Sequence, residues 1–152
     1  MEHYYSSEQK SEFKIKKIGQ RISGSNFEFY TASGIFSKDE VDKGTLTLAE
    51  NMSIDQNDKV LDIGCGIGVL GIAAAKMFNA NVFMSDINER AVRLSKENAL
   101  KNNVGVNVNS GEFFTAFPEE KFDAILLNPP QTAGKDVCFK MIEESKEHLN
   151  EK

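Results

Sequence analysis

Cysteine is scarce: Cys65 and Cys138 are the two in 152 residues. One sits in a glycine-rich stretch and the other in a segment expected to be helical. That usage excludes a disulfide framework and points to a reducing, cytoplasmic setting. Histidine is equally scarce, and His3 and His148 lie near the two termini. Both read as surface residues, so no histidine general base is expected. No cysteine–histidine cluster has metal-ligand spacing, and no metal is expected. No apolar run approaches the length of a membrane span. The start, Met1-Glu2-His3-Tyr4-Tyr5, lacks the basic and then apolar regions of a secretory signal. Internal repeats and low-complexity stretches are absent. Positive charge is short too. The formal net charge is −5, whereas a domain that grips nucleic acid by charge alone is usually basic. Lys10, Lys14, Lys16, Lys17 and Arg21 crowd the first part of the chain and read as the solvated face of a strand pair.

What is present fits a single globular domain spanning 1–152, with 40% hydrophobic and 27% charged residues. Loose alternation over Phe13–Ile22, a turn signal at Gly24-Ser25-Asn26 and renewed alternation at Phe27–Tyr30 predict an antiparallel hairpin over 13–31. A helix is expected from Gly44. Strand–helix alternation then fills 58–149. Strands are expected at Lys59–Ile63, Asn81–Ser85, Val104–Val108 and Phe122–Leu127, and helices at Val69–Phe78, Glu89–Asn98 and Asp136–Leu149. Repeated βα units predict an α/β, Rossmann-like parallel sheet of strand order 3-2-1-4. Its ligand crevice would lie beyond the carboxyl ends of strands one and four.

Three motifs fall at those strand ends. Asp62-Ile63-Gly64-Cys65-Gly66-Ile67-Gly68 follows a strand and opens a helix, as a nucleotide-binding loop does. Its spacing is Gly-x-Gly-x-Gly, not the dinucleotide Gly-x-Gly-x-x-Gly. A carboxylate at Asp62 would repel a pyrophosphate and suits a ligand with a cationic amino-acid portion. Asp86 ends the second strand, placed to accept hydrogen bonds from both hydroxyls of a ribose, with Ile87 set to lie against an adenine face. A rival reading makes Asp86 a helix N-cap, with Asn88 as competing cap. Asn128-Pro129-Pro130 ends the fourth strand, since two prolines cannot continue a ladder. The stretch is rich in acceptors able to hold both hydrogens of a planar NH₂ group.

These residues resemble the motifs of class I S-adenosylmethionine-dependent methyltransferases that act on amino or amide nitrogens. Gly34-Ile35-Phe36-Ser37 and Asp42-Lys43-Gly44-Thr45 resemble the segment preceding the core in the "methyltransferase small" family, which includes ribosomal RNA guanine-N2 methyltransferases. The resemblance implies S-adenosylmethionine as cofactor and ribosomal RNA as partner. It implies that Asp62, Gly64, Cys65, Gly66 and Gly68 surround the methionine portion, that Asp86 and Ile87 take the ribose and adenine, and that Glu112 lies near the adenine. Asn128, Pro129 and Pro130 would hold the target amine, and Phe36, Ser37 and Gln131 would complete the substrate pocket. Gln131 stands where many Asn-Pro-Pro enzymes carry a stacking aromatic. A protein glutamine amide is an alternative substrate, and a non-catalytic domain binding RNA or a partner is an alternative class. The family's sheet has seven strands in the order 3-2-1-4-5-7-6, whereas this sequence stops at Asn150-Glu151-Lys152, where strand five is expected. A C-terminally shortened form is therefore expected, with an apolar fourth strand left unpaired and open to self-association.

Overall fold

The computed structural model describes residues 14–32, 40–128 and 134–151. Strands β1 (Ile15–Ile22) and β2 (Ser25–Ala32) form the expected hairpin. Its loop is Ser23-Gly24, with φ of 46° and 86°. Two consecutive left-handed residues match the right-handed twist of the flanking strands. The turn therefore lies one residue before the predicted triplet. Phe27 and Phe29 point to the core, their near-parallel rings 5.9 Å apart. Lys14, Lys16, Lys17 and Arg21 are exposed, as the charge pattern predicted, and Lys10 lies outside the described residues.

Helix α1 (Lys43–Asn51) follows, and then the main sheet unit: β3 (Lys59–Ile63), α2 (Val69–Phe78), β4 (Asn81–Asp86), α3 (Glu89–Lys101), β5 (Asn107–Ser110), β6 (Ala124–Leu127) and α4 (Lys135–Ser145). A 3₁₀ turn covers Lys146–His148. The sheet is parallel, with order β5-β4-β3-β6. That is the predicted 3-2-1-4. Along β3 the side chains alternate between two cores, as a strand's period requires. Val60 joins the cluster shared by the hairpin, α1, α2 and α3. Leu61 and Ile63 join Phe114, Phe117, Phe122 and Met141 on the other face.

Asn98 on α3 and Asn102, its C-cap one turn on, close the outer edge of β2. Asn98 Oδ1 accepts from Tyr30 N at 2.7 Å, and its Nδ2 donates to the Tyr30 carbonyl at 3.0 Å. Asn102 does the same for Glu28 at 3.1 and 2.8 Å. Two side-chain amides thus act as a strand would.

Four expectations are corrected. The third strand begins at Asn107, because Val104 N bonds back to the Ala99 carbonyl and Asn103 takes a left-handed φ of 59°, ending α3. Its valines Val104 and Val106 pack from the loop instead. The last helix stops at Ser145. His148 is half-buried, stacked on Phe114 with centroids 4.2 Å apart. Beyond it, Leu149 forms a parallel bridge with Phe122. Phe122 N donates to the His148 carbonyl and Asn150 N to the Phe122 carbonyl, both at 2.7 Å. The segment after the last helix therefore does pair with the chain just ahead of β6, where no such partner was expected.

Candidate cofactor and substrate site

Register brings the three motifs together. Ile63 pairs with Ser85 on one side and Leu127 on the other. The next residues, Gly64, Asp86 and Asn128, therefore leave three neighbouring strands at one level. This is the carboxyl-end crevice in which open α/β sheets bind ligands.

The glycine loop turns sharply. Gly64 and Cys65 both donate their amides to the Ser85 carbonyl, at 2.8 and 2.9 Å, and Gly68 N donates to the Cys65 carbonyl at 2.8 Å. Gly66 and Gly68 sit at φ of 58° and 96°, where L side chains are strained. The two serve different ends. A Cβ on Gly68 would lie 2.9 Å from Met84 Cε, 3.0 Å from Ile72 Cδ1 and 3.1 Å from Ser95 Oγ, so here the glycine serves the close packing of α2 on the sheet. A Cβ on Gly66 would meet nothing within 4 Å. Gly66 thus leaves bare backbone beside open space, as a closely approaching ligand needs.

Of Asp86 and Asn88, the two cap candidates that the sequence left open, Asn88 is the cap. Asn88 caps α3, its Oδ1 accepting from Arg90 N at 2.8 Å and Ala91 N at 3.4 Å. Asp86 Oδ2 accepts from Gly66 N and Oδ1 from Asn88 N, both at 2.9 Å. The carboxylate therefore spans the glycine loop and the start of α3. Ile87 beside it is 72% exposed, an aliphatic side chain held in water next to an anion. Gly111 N donates to the Asp86 carbonyl at 3.0 Å, which brings the exposed Glu112 to the same strand end.

Asp62 lies below the loop, 2% exposed, with Oδ2 accepting from Gly71 N at 3.0 Å. Burial pushes its carboxyl up to about 7, the Gly71 amide opposes this, and the nearby Asp86 charge adds to the rise. Burial likewise pushes the Cys65 thiol up, which makes it a packing group rather than a nucleophile. Ser95 and Asn98 were not singled out in the sequence, yet they hold the loop from behind. Ser95 Oγ donates to the Gly66 carbonyl at 2.8 Å, and Asn98 Nδ2 to the Ile67 carbonyl at 2.8 Å. The available signal was two polar residues on the apolar face of an amphipathic helix.

Asn128, just past β6, donates from Nδ2 to Thr45 Oγ1 at 2.7 Å. Thr45 Oγ1 donates in turn to Asp42 Oδ1 at 2.6 Å, and Asp42 Oδ2 caps α1 by accepting from Thr45 N. Asp42 and Thr45 belong to the family-resembling segment Asp42-Lys43-Gly44-Thr45, and nothing in its spacing announces this relay. Pro129, Pro130, Gln131, Phe36 and Ser37 lie outside the described residues. Among the described residues no group of His, Cys, Asp and Glu could hold a metal, and no helix is long and apolar enough to cross a membrane.

The side chains at the crevice are acceptors and carboxylates. They suit a ligand bearing hydroxyls and positive charge, such as S-adenosylmethionine, and disfavour a pyrophosphate. The open space at Gly66 fits the same ligand.

Comparison with known proteins agrees. The family model "Methyltransferase small domain" matches residues 26–152. "Uncharacterized protein YbxB" of Bacillus subtilis is 38% identical over 152 residues, covering 97% of this chain and 76% of that protein. Ribosomal RNA small subunit methyltransferase C of Haemophilus influenzae is 32% identical, over 98% of this chain and 47% of the relative, so the chain spans about half that length. Among solved structures, the T. thermophilus 16S rRNA N2 G1207 methyltransferase, in complex with AdoMet and guanosine, superposes with a TM-score of 0.80. It is 25% identical, over 90% of this chain and 39% of that one. The chain therefore belongs to the methyltransferase small domain family and carries its class I, S-adenosylmethionine-dependent methyltransferase fold.

Proposed function

We propose that this domain transfers a methyl group from S-adenosylmethionine to an exocyclic amino nitrogen of a ribosomal RNA base, guanine N2. The observation that carries this reading is the Asn128 amide. It stands at the same strand level as the glycine loop and Asp86, and its Oδ1 has no hydrogen-bond partner among the described residues. The names of the relatives supply the substrate class, and the solved relative holds both AdoMet and guanosine.

S-adenosylmethionine supplies a methyl group carried on a positively charged sulfur. Asp86 accepts from the ribose hydroxyls, and Ile87 and Glu112 border the adenine. Gly64 and Gly66 offer bare backbone to the methionine portion, with Asp62, Cys65 and Gly68 shaping the loop beneath it. Asn128 Oδ1, together with acceptors of Pro129 and Pro130, takes the hydrogens of the target NH₂ group. Holding both hydrogens aims the nitrogen lone pair at the methyl carbon, so positioning supplies much of the acceleration. As the carbon–nitrogen bond forms and the carbon–sulfur bond breaks, nitrogen becomes positive. The same acceptors stabilise that charge, and the surplus proton passes to water. No nucleophilic side chain is required, in keeping with a buried Cys65.

The deciding experiment is incubation with methyl-labelled S-adenosylmethionine and unmodified ribosomal RNA, followed by nucleoside analysis. Label in N2-methylguanosine is expected. Label confined to a glutamine of added ribosomal protein or release factor would overturn the RNA assignment.

A further inference from the structure

We infer that Thr45 and Asp42 are positioning residues that fix which end of the Asn128 amide faces the reacting amine. The inference rests on the role of Asn128 proposed above.

The argument is one of hydrogen counting. A carboxylate can only accept, and a threonine hydroxyl has one hydrogen to give. Thr45 Oγ1 lies 2.6 Å from Asp42 Oδ1, so that hydrogen is committed to Asp42. Toward Asn128 the hydroxyl oxygen can then only accept. The Asn128 atom 2.7 Å away must be the donor, Nδ2. Rotating the amide by half a turn would set Oδ1 against an oxygen with no hydrogen between them. The Asp42 carboxylate thus selects the orientation of a side chain 83 residues beyond Thr45. The end left over is Oδ1, the acceptor the reaction needs. The chained bonds also polarise one another, which makes Oδ1 a better acceptor for a nitrogen turning positive.

A purely structural role does not account for the arrangement. Capping of α1 needs only Asp42 Oδ2 and the Thr45 amide, at 3.2 Å. The hydroxyl bond to Oδ1 can steady the capping carboxylate, but its continuation to Asn128 lies outside the cap. Thr45 is 8% exposed, and the cap holds it at the first turn of the helix, so its hydroxyl has a fixed address.

The test uses the full chain. The Asn128 side-chain amide is found in a nitrogen–proton NMR spectrum by its loss in Asn128→Ala. Three variants are then compared. Asp42→Asn keeps an equally good N-cap but can donate to Thr45, which frees the hydroxyl hydrogen. Thr45→Val removes the hydroxyl, and Thr45→Ser keeps it. The Asn128 amide protons should exchange with solvent about fivefold more slowly in the wild type and Thr45→Ser than in Thr45→Val and Asp42→Asn, the change expected of one ordinary hydrogen bond. This reading needs no substrate. In methyl transfer to unmodified ribosomal RNA, kcat should fall about tenfold in Thr45→Val and Asp42→Asn, recover in Thr45→Ser, and leave S-adenosylmethionine affinity by calorimetry unchanged. Equal exchange in the wild type, Thr45→Val and Asp42→Asn overturns the inference. So does wild-type kcat in Asp42→Asn where Asn128→Ala is inactive. Wild-type kcat in Asn128→Ala overturns the role of Asn128 itself, a distinct result.

Discussion

Asp86 uses one carboxylate to join two elements, and a ligand would meet it already oriented. Its oxygens hold Gly66 N and Asn88 N, yet a carboxylate has about four acceptor sites. Room remains for the hydroxyls of a ribose. Asp86→Ala should weaken S-adenosylmethionine binding by about 1–3 kcal/mol through loss of charge-assisted bonds. Calorimetric titration of the folded variant checks this, and unchanged affinity would remove the ribose role. Sequence alone could not separate Asp86 from Asn88 as cap, because both are short polar residues just ahead of one helix. Only the φ and ψ of Asn88 and its bonds to Arg90 N and Ala91 N decide it. Asp62 makes a pH prediction. Its carboxyl rises from the ordinary 3.8 to about 7, mainly through burial. Between those values the folded protein keeps a proton that the unfolded chain has lost. Stability from this group is therefore fully present below pH 3.8, falls as pH rises toward about 7, and levels off above it. Asp62→Asn, which stays neutral and can still accept from Gly71 N, should show a flatter curve. Thermal melting of both proteins across that window is the measurement; parallel curves would refute the raised carboxyl.

At the scale of elements, the periodic signals were legible and the long-range ones were not. The hairpin, the βα alternation and the glycine loop all follow from spacing within about ten residues. The third strand was misplaced because Val104 and Val106 are apolar for a different reason, packing from the turn that ends α3. The Asn98 and Asn102 bonds to β2 span 68 and 74 residues, and no local pattern announces them. They nonetheless carry a measurable load. Asn98→Ala leaves Tyr30 N, the Tyr30 carbonyl and the Ile67 carbonyl without their partner. Buried polar groups left unsatisfied are expensive, and a loss of about 2–3 kcal/mol is expected in urea unfolding. Hydrogen exchange at the Tyr30 amide should quicken in the same variant. A loss under about 0.5 kcal/mol would mean that water replaces the side chain without penalty.

For the molecule as a whole, strand order was legible because right-handed crossovers allow few alternatives. What lies beside β6 was not. Among the described residues, β6 pairs along its length with β3 alone, and the Phe122–Leu149 bridge lies just ahead of it. Leu126 is buried, whereas Ile125 and Leu127 are half-buried, an apolar edge of the kind that attracts further strands. We propose self-association of this chain through that edge. Sedimentation over a concentration series should show mass rising with concentration, and Ile125→Lys should suppress the rise. A monomer throughout would exclude it. One side chain also bridges two distant regions. Asn98 holds the carbonyls of Tyr30 in the hairpin and Ile67 in the glycine loop with the same nitrogen, at 3.0 and 2.8 Å. Coupling between two sites is reciprocal. Whatever coupling that shared bond carries runs both ways: to the extent that a ligand stilling the loop also stills the hairpin, anything gripping the hairpin changes the loop's hold on its ligand by the same factor.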